Sequence, residues 1–222
     1  MQYDPPTMTE HDPYSETELI ESNDDVKRLS AFSDAVMAIA MTLLVLDLDK
    51  PNPSEITTVA QLHDALAQWP AYASFALSFW VIALYWRVHF RTFRRIRRVD
   101  GPLLQLSLLF LFGITFLPFP TAVLQRFSDE RVAVLLYSGT LAAVGYSWAA
   151  LWYYAVRKGY LVHRHEDGTL AEGLQRSLIP PSVFLLSFGV AWIDPTLGLW
   201  TWLLLPITGL VRRRLKRRSA HA

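Results

Sequence analysis

Long stretches of this chain carry no charge, and the charged residues cluster between them. Residues 65–86, 101–125 and 132–156 run for 22, 25 and 25 positions without Asp, Glu, Lys or Arg. Residues 177–193 and 195–211 are 17 each, parted only by Asp194. Residues 29–46 hold a single charge, Asp34. A helix crosses the hydrocarbon of a bilayer with about 20 mostly apolar residues, range roughly 17–25. The pattern therefore predicts six membrane-spanning helices, with the last two at the short limit. Six such runs leave too little polar chain to cover them in water. The expected fold class is all-α, a polytopic membrane protein.

Composition sharpens this reading. Of the 222 residues, 52% are hydrophobic, and mean hydropathy is +0.21. The chain has no Cys, which excludes disulfides, thiolate metal sites and a cysteine nucleophile. The net charge of +1 hides a strong segregation: 8 of the 20 acids lie in the first 25 residues, and 6 of the 21 bases lie between Arg212 and Arg218. Three segments follow: a disordered acidic tail over 1–26, a six-span domain over 27–211 and a basic tail over 212–222. The start lacks the basic and apolar runs of a cleaved signal peptide, so the first span is expected to act as its own insertion signal.

Lys and Arg set the orientation. Eighteen of them flank span one at its start, the second and fourth loops, and the C-terminus, whereas only Lys50, Arg126 and Arg131 lie on the other side. Both termini are therefore expected to be cytoplasmic, with the protein in the cell membrane of a bacterium. Trp69, Trp192, Trp200 and Trp202 fall near outer span ends, where aromatic belts form. Each arginine run adjoins a span, so anionic inner-leaflet lipid is the expected partner and nucleic acid is not.

Span one is unlike the others. It carries Asp34, small residues at Ala31, Ala35, Ala38 and Ala40, and no Trp or Tyr. Small residues let helices approach closely in lipid. An acid at membrane depth costs about 2.5–3.5 kcal/mol on insertion scales, so it needs a partner inside the protein. At about 100° per residue, with Ile39 at 0°, Ala35, Thr42, Leu43 and Leu46 fall within about 60° of it. Asp34 falls near 220° and Ser33 near 120°, by the same rule. One face is thus apolar with a single hydroxyl, and the polar pair lies elsewhere. Ordinary packing of the Ile39 row and a satisfied buried Asp34 would also fit this pattern.

Arg28 followed after three residues by Phe32-Ser33-Asp34 resembles the signature of the FSD-motif potassium channels, bacterial relatives of the endolysosomal potassium channel. The stretch from Ser78 to Phe90 resembles that family's second span, and Leu108 to Leu124, with its Phe-Leu-Pro-Phe-Pro-Thr ending, its third. Ile179-Pro180-Pro181 fits the start of the fifth. Where the family often has His-His, His89 is followed here by Phe90. The resemblance implies a potassium-selective channel built as a homotetramer of six-span subunits, with the pore lined by the first helix of each. It implies Ile39, Leu43 and Leu46 at a hydrophobic constriction, Thr42 as a hydroxyl ring contributing to selectivity, and Arg28, Ser33 and Asp34 in a structural polar network. The chain has no Thr-Val-Gly-Tyr-Gly loop, so a filter of stacked backbone carbonyls is not available. Asp47 and Asp49 at the outer end would raise local cation concentration, or be a solvated helix end.

Other residues add alternatives. His89, near the cytoplasmic end of span two, is a candidate partner for Asp34. If the two relay protons, the chain is a proton-coupled secondary transporter instead. A non-conducting scaffold is a third class. His163, His165, Glu166 and Asp167 have a loosely metal-like spacing but read as a polar loop, so no metal or other cofactor is expected beyond the permeant ion. Pro118 and Pro120 predict a kink or helix stop. Trp148 and Trp152 are read as packing or lipid contacts. No HExxH, GxSxG or Walker loop occurs, and an enzyme is not expected.

Overall fold

A computed structural model of the chain describes residues 16–48, 54, 56–67, 69–161 and 170–205. Among them the elements are α1 (Glu16–Leu43), α2 (Val59–Leu66), α3 (Trp69–Phe93), α4 (Gly101–Phe116), α5 (Pro118–Arg126), α6 (Arg131–Arg157), α7 (Leu170–Ala191) and α8 (Pro195–Trp200). Short 3₁₀ turns extend α1 through Leu44–Asp47 and α8 through Thr201–Leu203. The described residues form no strand beyond an isolated bridge between Ile96 and Leu161.

Four helical stretches are long and apolar enough to cross a membrane: Asp24–Asp47, Ala71–Phe93, Gly101–Arg126 and Arg131–Arg157. The fifth expected span is the helix α7, whose apolar part is only Ser177–Ala191. The sixth begins as α8 after Asp194, and its last residues, 206–211, lie outside the described residues. The difference from six has a local cause. Arg176 limits the apolar part of α7 on one side, and Asp194 starts a new helix on the other.

Residues 16–26, expected in the disordered tail, begin α1. No Pro or Gly interrupts the chain from Ser15 to Lys50, and acids near a helix N-terminus are favoured by its dipole. Positions 1–15, the basic tail 212–222, Asp49, Lys50 and the His163–Asp167 loop lie outside the described residues.

Prolines and aspartates punctuate the bundle as their chemistry dictates. Pro118 has no N–H to donate into α4, so the helix breaks at Leu117 and restarts as α5 with nearly the same backbone angles. Asp100 and Asp194 cap α4 and α8, each accepting a backbone N–H at 3.0 Å, from Leu103 and Leu197, with Pro in the first turn.

The core lies between α1, α3, α4, α6 and α7. Met37, Ile82, Phe110, Ile114, Tyr137 and Leu141 are fully buried there. Several of the hydroxyls within it pair with one another, as a low-dielectric interior favours. The hydroxyls of Ser78 and Tyr137 are 2.9 Å apart, and those of Thr121 and Ser78 are 2.8 Å apart, tying α3 to α5 and α6. Ser187 on α7 lies 3.0 Å from Ser138 on α6, donates to Gly198 O at 2.8 Å and accepts from Trp202 Nε1 at 2.8 Å.

Candidate functional site

α1 has two faces. Val26, Leu29, Ser33, Met37, Ala40 and Leu44 recur at three- and four-residue steps and are buried against the rest of the chain, chiefly α3 and α4. On the other face Ile39 is 59% exposed, Leu46 62% and Leu43 41%. Thr42 and Ala35 are exposed beside them. The described helices therefore leave the Ile39 row uncovered. The Thr42 hydroxyl donates to Ile39 O at 2.8 Å. Its proton is held by the helix, so the lone pairs of the oxygen are what it presents outward.

Arg28, Ser33 and Asp34, read as a polar network, and His89, read as a candidate partner of Asp34, form no hydrogen bonds with one another among the described residues. Ser33 is fully buried, and its hydroxyl donates to Leu29 O at 2.7 Å, within its own helix. Arg28 is exposed, and no hydrogen bond or ion pair forms on it among the described residues. Asp34 is half-buried, and its Oδ1 accepts from Trp86 Nε1 of α3 at 2.9 Å. His89 is completely buried with neither ring nitrogen hydrogen-bonded. Its ring stacks on Phe93 at 4.0 Å between centroids and lies near Phe110 and Trp148. No hydrogen bond joins Asp34 to His89 among the described residues. The reason is register: three residues before His89, Trp86 offers a donor-only N–H that reaches α1 first.

Trp86 is the residue the sequence reading missed. If Asp34 serves as its acceptor, Asp34→Asn keeps a carbonyl oxygen for the indole and retains stability. Asp34→Ala leaves the indole unpaired and is expected to lower stability by about 1–3 kcal/mol. Thermal unfolding of the two variants in detergent checks this, and equal loss in both would contradict the acceptor role.

A second missed group is Asp100, at the end of the α3–α4 connection. Its Oδ2 accepts from the Tyr154 hydroxyl at 2.6 Å and the Tyr160 hydroxyl at 3.0 Å, while Oδ1 accepts the Leu103 N–H. Burial pushes this carboxyl up, but the bonds from Tyr154, Leu103 and Tyr160 hold it below the ordinary carboxylate range. A carboxylate depressed in the folded state stabilises above its unfolded pKa, and that contribution is lost as pH falls through the folded value. Asp100→Ala is therefore expected to lose about 1–3 kcal/mol at pH 7. The gap from the parent protein should close as pH drops below the carboxylate range. Melting curves across pH test this, and a gap independent of pH would contradict it.

The remaining sequence candidates divide by burial. Trp69, Trp192 and Trp200 are exposed as interfacial residues would be. Trp202 is not: it packs on Tyr137 with ring centroids 5.1 Å apart. Trp148 is core, and Asp47 is half-buried. No cluster of three or more His, Asp or Glu able to hold a metal occurs among the described residues.

Comparison with known proteins agrees with the fold. The family model described as "Endosomal/lysosomal potassium channel TMEM175" matches residues 28–118, which include α1 from Arg28 onward and all of α3 and α4. A Streptomyces collinus protein named a potassium channel is 35% identical over 177 residues, covering 78% of this chain and 85% of its own. A Chamaesiphon minutus protein of the same description is 32% identical over 184 residues, covering 81% and 91%. The crystal structure of a lysosomal potassium-selective channel TMEM175 homolog from Chamaesiphon minutus superposes with a TM-score of 0.73 at 32% identity, over 85% of this chain and 98% of that one. On identity, coverage and fold together, this chain belongs to the TMEM175 family.

Proposed function

We propose that the chain is one subunit of a homotetrameric potassium channel whose pore is formed by four copies of α1. The observation that carries this reading is the Ile39–Thr42–Leu46 face, apolar but for one hydroxyl and uncovered within its own subunit. The family's bacterial relatives named potassium channels support the permeant ion. Four Ile39 side chains, with Leu43 and Leu46 beyond them, make a constriction that gates by dewetting. Thr42 lies three residues on, about 4.5 Å along the helix axis. A ring of four such oxygens, their protons bonded to the helix, offers lone pairs to a partly dehydrated cation. Selectivity is modest, because one hydroxyl ring replaces less of the hydration shell than stacked carbonyl rings do.

In this reading α7 and α8 supply the fifth and sixth spans, and both termini face the cytoplasm. The arginine-rich inner loops meet anionic lipid. Arg28, Ser33, Asp34 and His89 are structural and take no part in conduction, which is passive: Asp34 ties α1 to Trp86 of α3, Ser33 is buried and bonded within α1, and His89 packs in the core. No cofactor or catalytic step is involved.

The experiment is ion flux in proteoliposomes with single-channel recording. Thr42→Val keeps the shape and removes the hydroxyl. It is expected to lower the potassium-over-sodium ratio several-fold, corresponding to roughly 1 kcal/mol, with potassium still conducted. An unchanged ratio would remove Thr42 from the selectivity role. Turnover at a carrier's rate, or no flux at all, would overturn the channel itself.

A further inference from the structure

Pro118 and Pro120 remove two backbone N–H groups where α4 gives way to α5. A broken helix in a bilayer is held when neighbouring side chains replace the lost bonds. Three hydroxyls converge on this break. Tyr137 of α6 lies 2.9 Å from Ser78 of α3, and Ser78 lies 2.8 Å from Thr121 of α5. The Thr121 hydroxyl in turn lies 2.8 Å from the carbonyl oxygen of Leu117, at the break itself. All three side chains are fully buried. Each hydroxyl has one proton. The three contacts are hydrogen bonds together in only one order: Tyr137 donates to Ser78, Ser78 to Thr121, and Thr121 to Leu117 O. Losing the middle member leaves the Tyr137 proton without an acceptor in the core, which is costly.

The place of these hydroxyls ties them to α1. Ser78 and Thr121 belong to α3 and α5, the helices on which the 3₁₀ turn Leu44–Asp47 packs. Within that turn Leu44 is fully buried, whereas Val45 and Leu46 are 48% and 62% exposed. The outer end of α1 is thus supported from one side only. Its support is the pair of helices that the hydroxyls join to α6.

We infer that Tyr137, Ser78 and Thr121 are positioning residues for the outer end of α1, and that through it they set ion selectivity. The role in selectivity rests on the pore reading; the coupling to α1 does not. When α5 is free to shift, four copies of Thr42 and Leu46 no longer stand at one distance from the axis, and discrimination between potassium and sodium falls. Ser138, the next residue on α6, provides the contrast. Its hydroxyl is also buried and pairs with Ser187 at 3.0 Å, but it faces α7 rather than α5.

The test combines hydrogen exchange of the full chain in lipid nanodiscs, read by mass spectrometry, with the potassium-over-sodium ratio of the same variants in proteoliposomes. In Ser78→Ala the amides of residues 43–48 are expected to exchange several-fold faster than in the parent, and the ratio to fall several-fold. Ser138→Ala should leave both at the parent values. Should Ser78→Ala fail to fold, Thr121→Val keeps the shape of its side chain, removes the hydroxyl and is expected to behave the same way. Unchanged exchange at 43–48 in the folded variant, or equal acceleration in Ser138→Ala, overturns the coupling. Faster exchange with an unchanged ratio overturns the role in selectivity. A parent protein that passes no potassium sinks the pore reading and the selectivity role with it, while the exchange result still decides the coupling.

Discussion

Ile39→Asn is expected to raise potassium flux through reconstituted protein by about tenfold or more. The side chain is apolar, exposed on its own subunit and one helical turn from the Thr42 hydroxyl. Where four such side chains converge, water is excluded and a hydrated ion meets a barrier. A carboxamide both donates and accepts hydrogen bonds, so it wets the constriction. Removing about 1.4 kcal/mol of barrier corresponds to that tenfold change. Ile39→Leu, which keeps the ring apolar, is the control and should leave flux near the parent value. Unchanged flux in Ile39→Asn, with the protein folded, would take Ile39 out of the conduction path.

Gly145→Val is expected to cost the fold about 3 kcal/mol or more, with a steep loss of folded yield. Gly145 lies where α6 meets α7, and a Cβ there would sit 2.6 Å from Pro181 Cβ and 2.9 Å from the Tyr85 hydroxyl. Pro181 is part of a rigid ring and Tyr85 is held in the core, so the helices themselves must separate. Overpacking a tight core costs about 1–3 kcal/mol, and more where backbone must move. Gly189 is the internal control, because no atom lies within 4 Å of a Cβ built there. Gly189→Ala should be neutral or gain up to about 1 kcal/mol from helix propensity. Equal behaviour of the two variants in thermal unfolding would contradict the packing argument.

Much of this architecture is legible in one dimension because bilayer physics is one-dimensional. The long charge-free runs, 101–125 and 132–156, became α4 with α5 and α6, since a membrane span satisfies its own backbone and needs little tertiary context. The two faces of α1 followed from 3.6-residue periodicity alone. The short final runs were less legible: 17 residues can be a span, a hairpin or two broken helices, and Pro180, Pro181 and Asp194 do not decide among them. Pairing was hardest to read. Depth suggested Asp34 beside His89, yet depth leaves rotation about the α3 axis open, and the indole of Trp86 took the carboxylate. Asp100 was missed for a different reason. Its Asp-Gly-Pro context announces a helix cap, but the tyrosines that complete its site lie 54 and 60 residues away.

The central claim is that the Ile39–Thr42–Leu46 face meets water and its own three copies. The chain has no cysteine, so Thr42→Cys introduces a single thiol. A small, membrane-impermeant, positively charged thiol reagent applied during potassium recording tests the claim directly. The account predicts progressive block as the thiols react, relieved by reduction. Full current after the same exposure, with Cys at position 42 labelled only by lipid-soluble reagents, would place that face in the bilayer and contradict it.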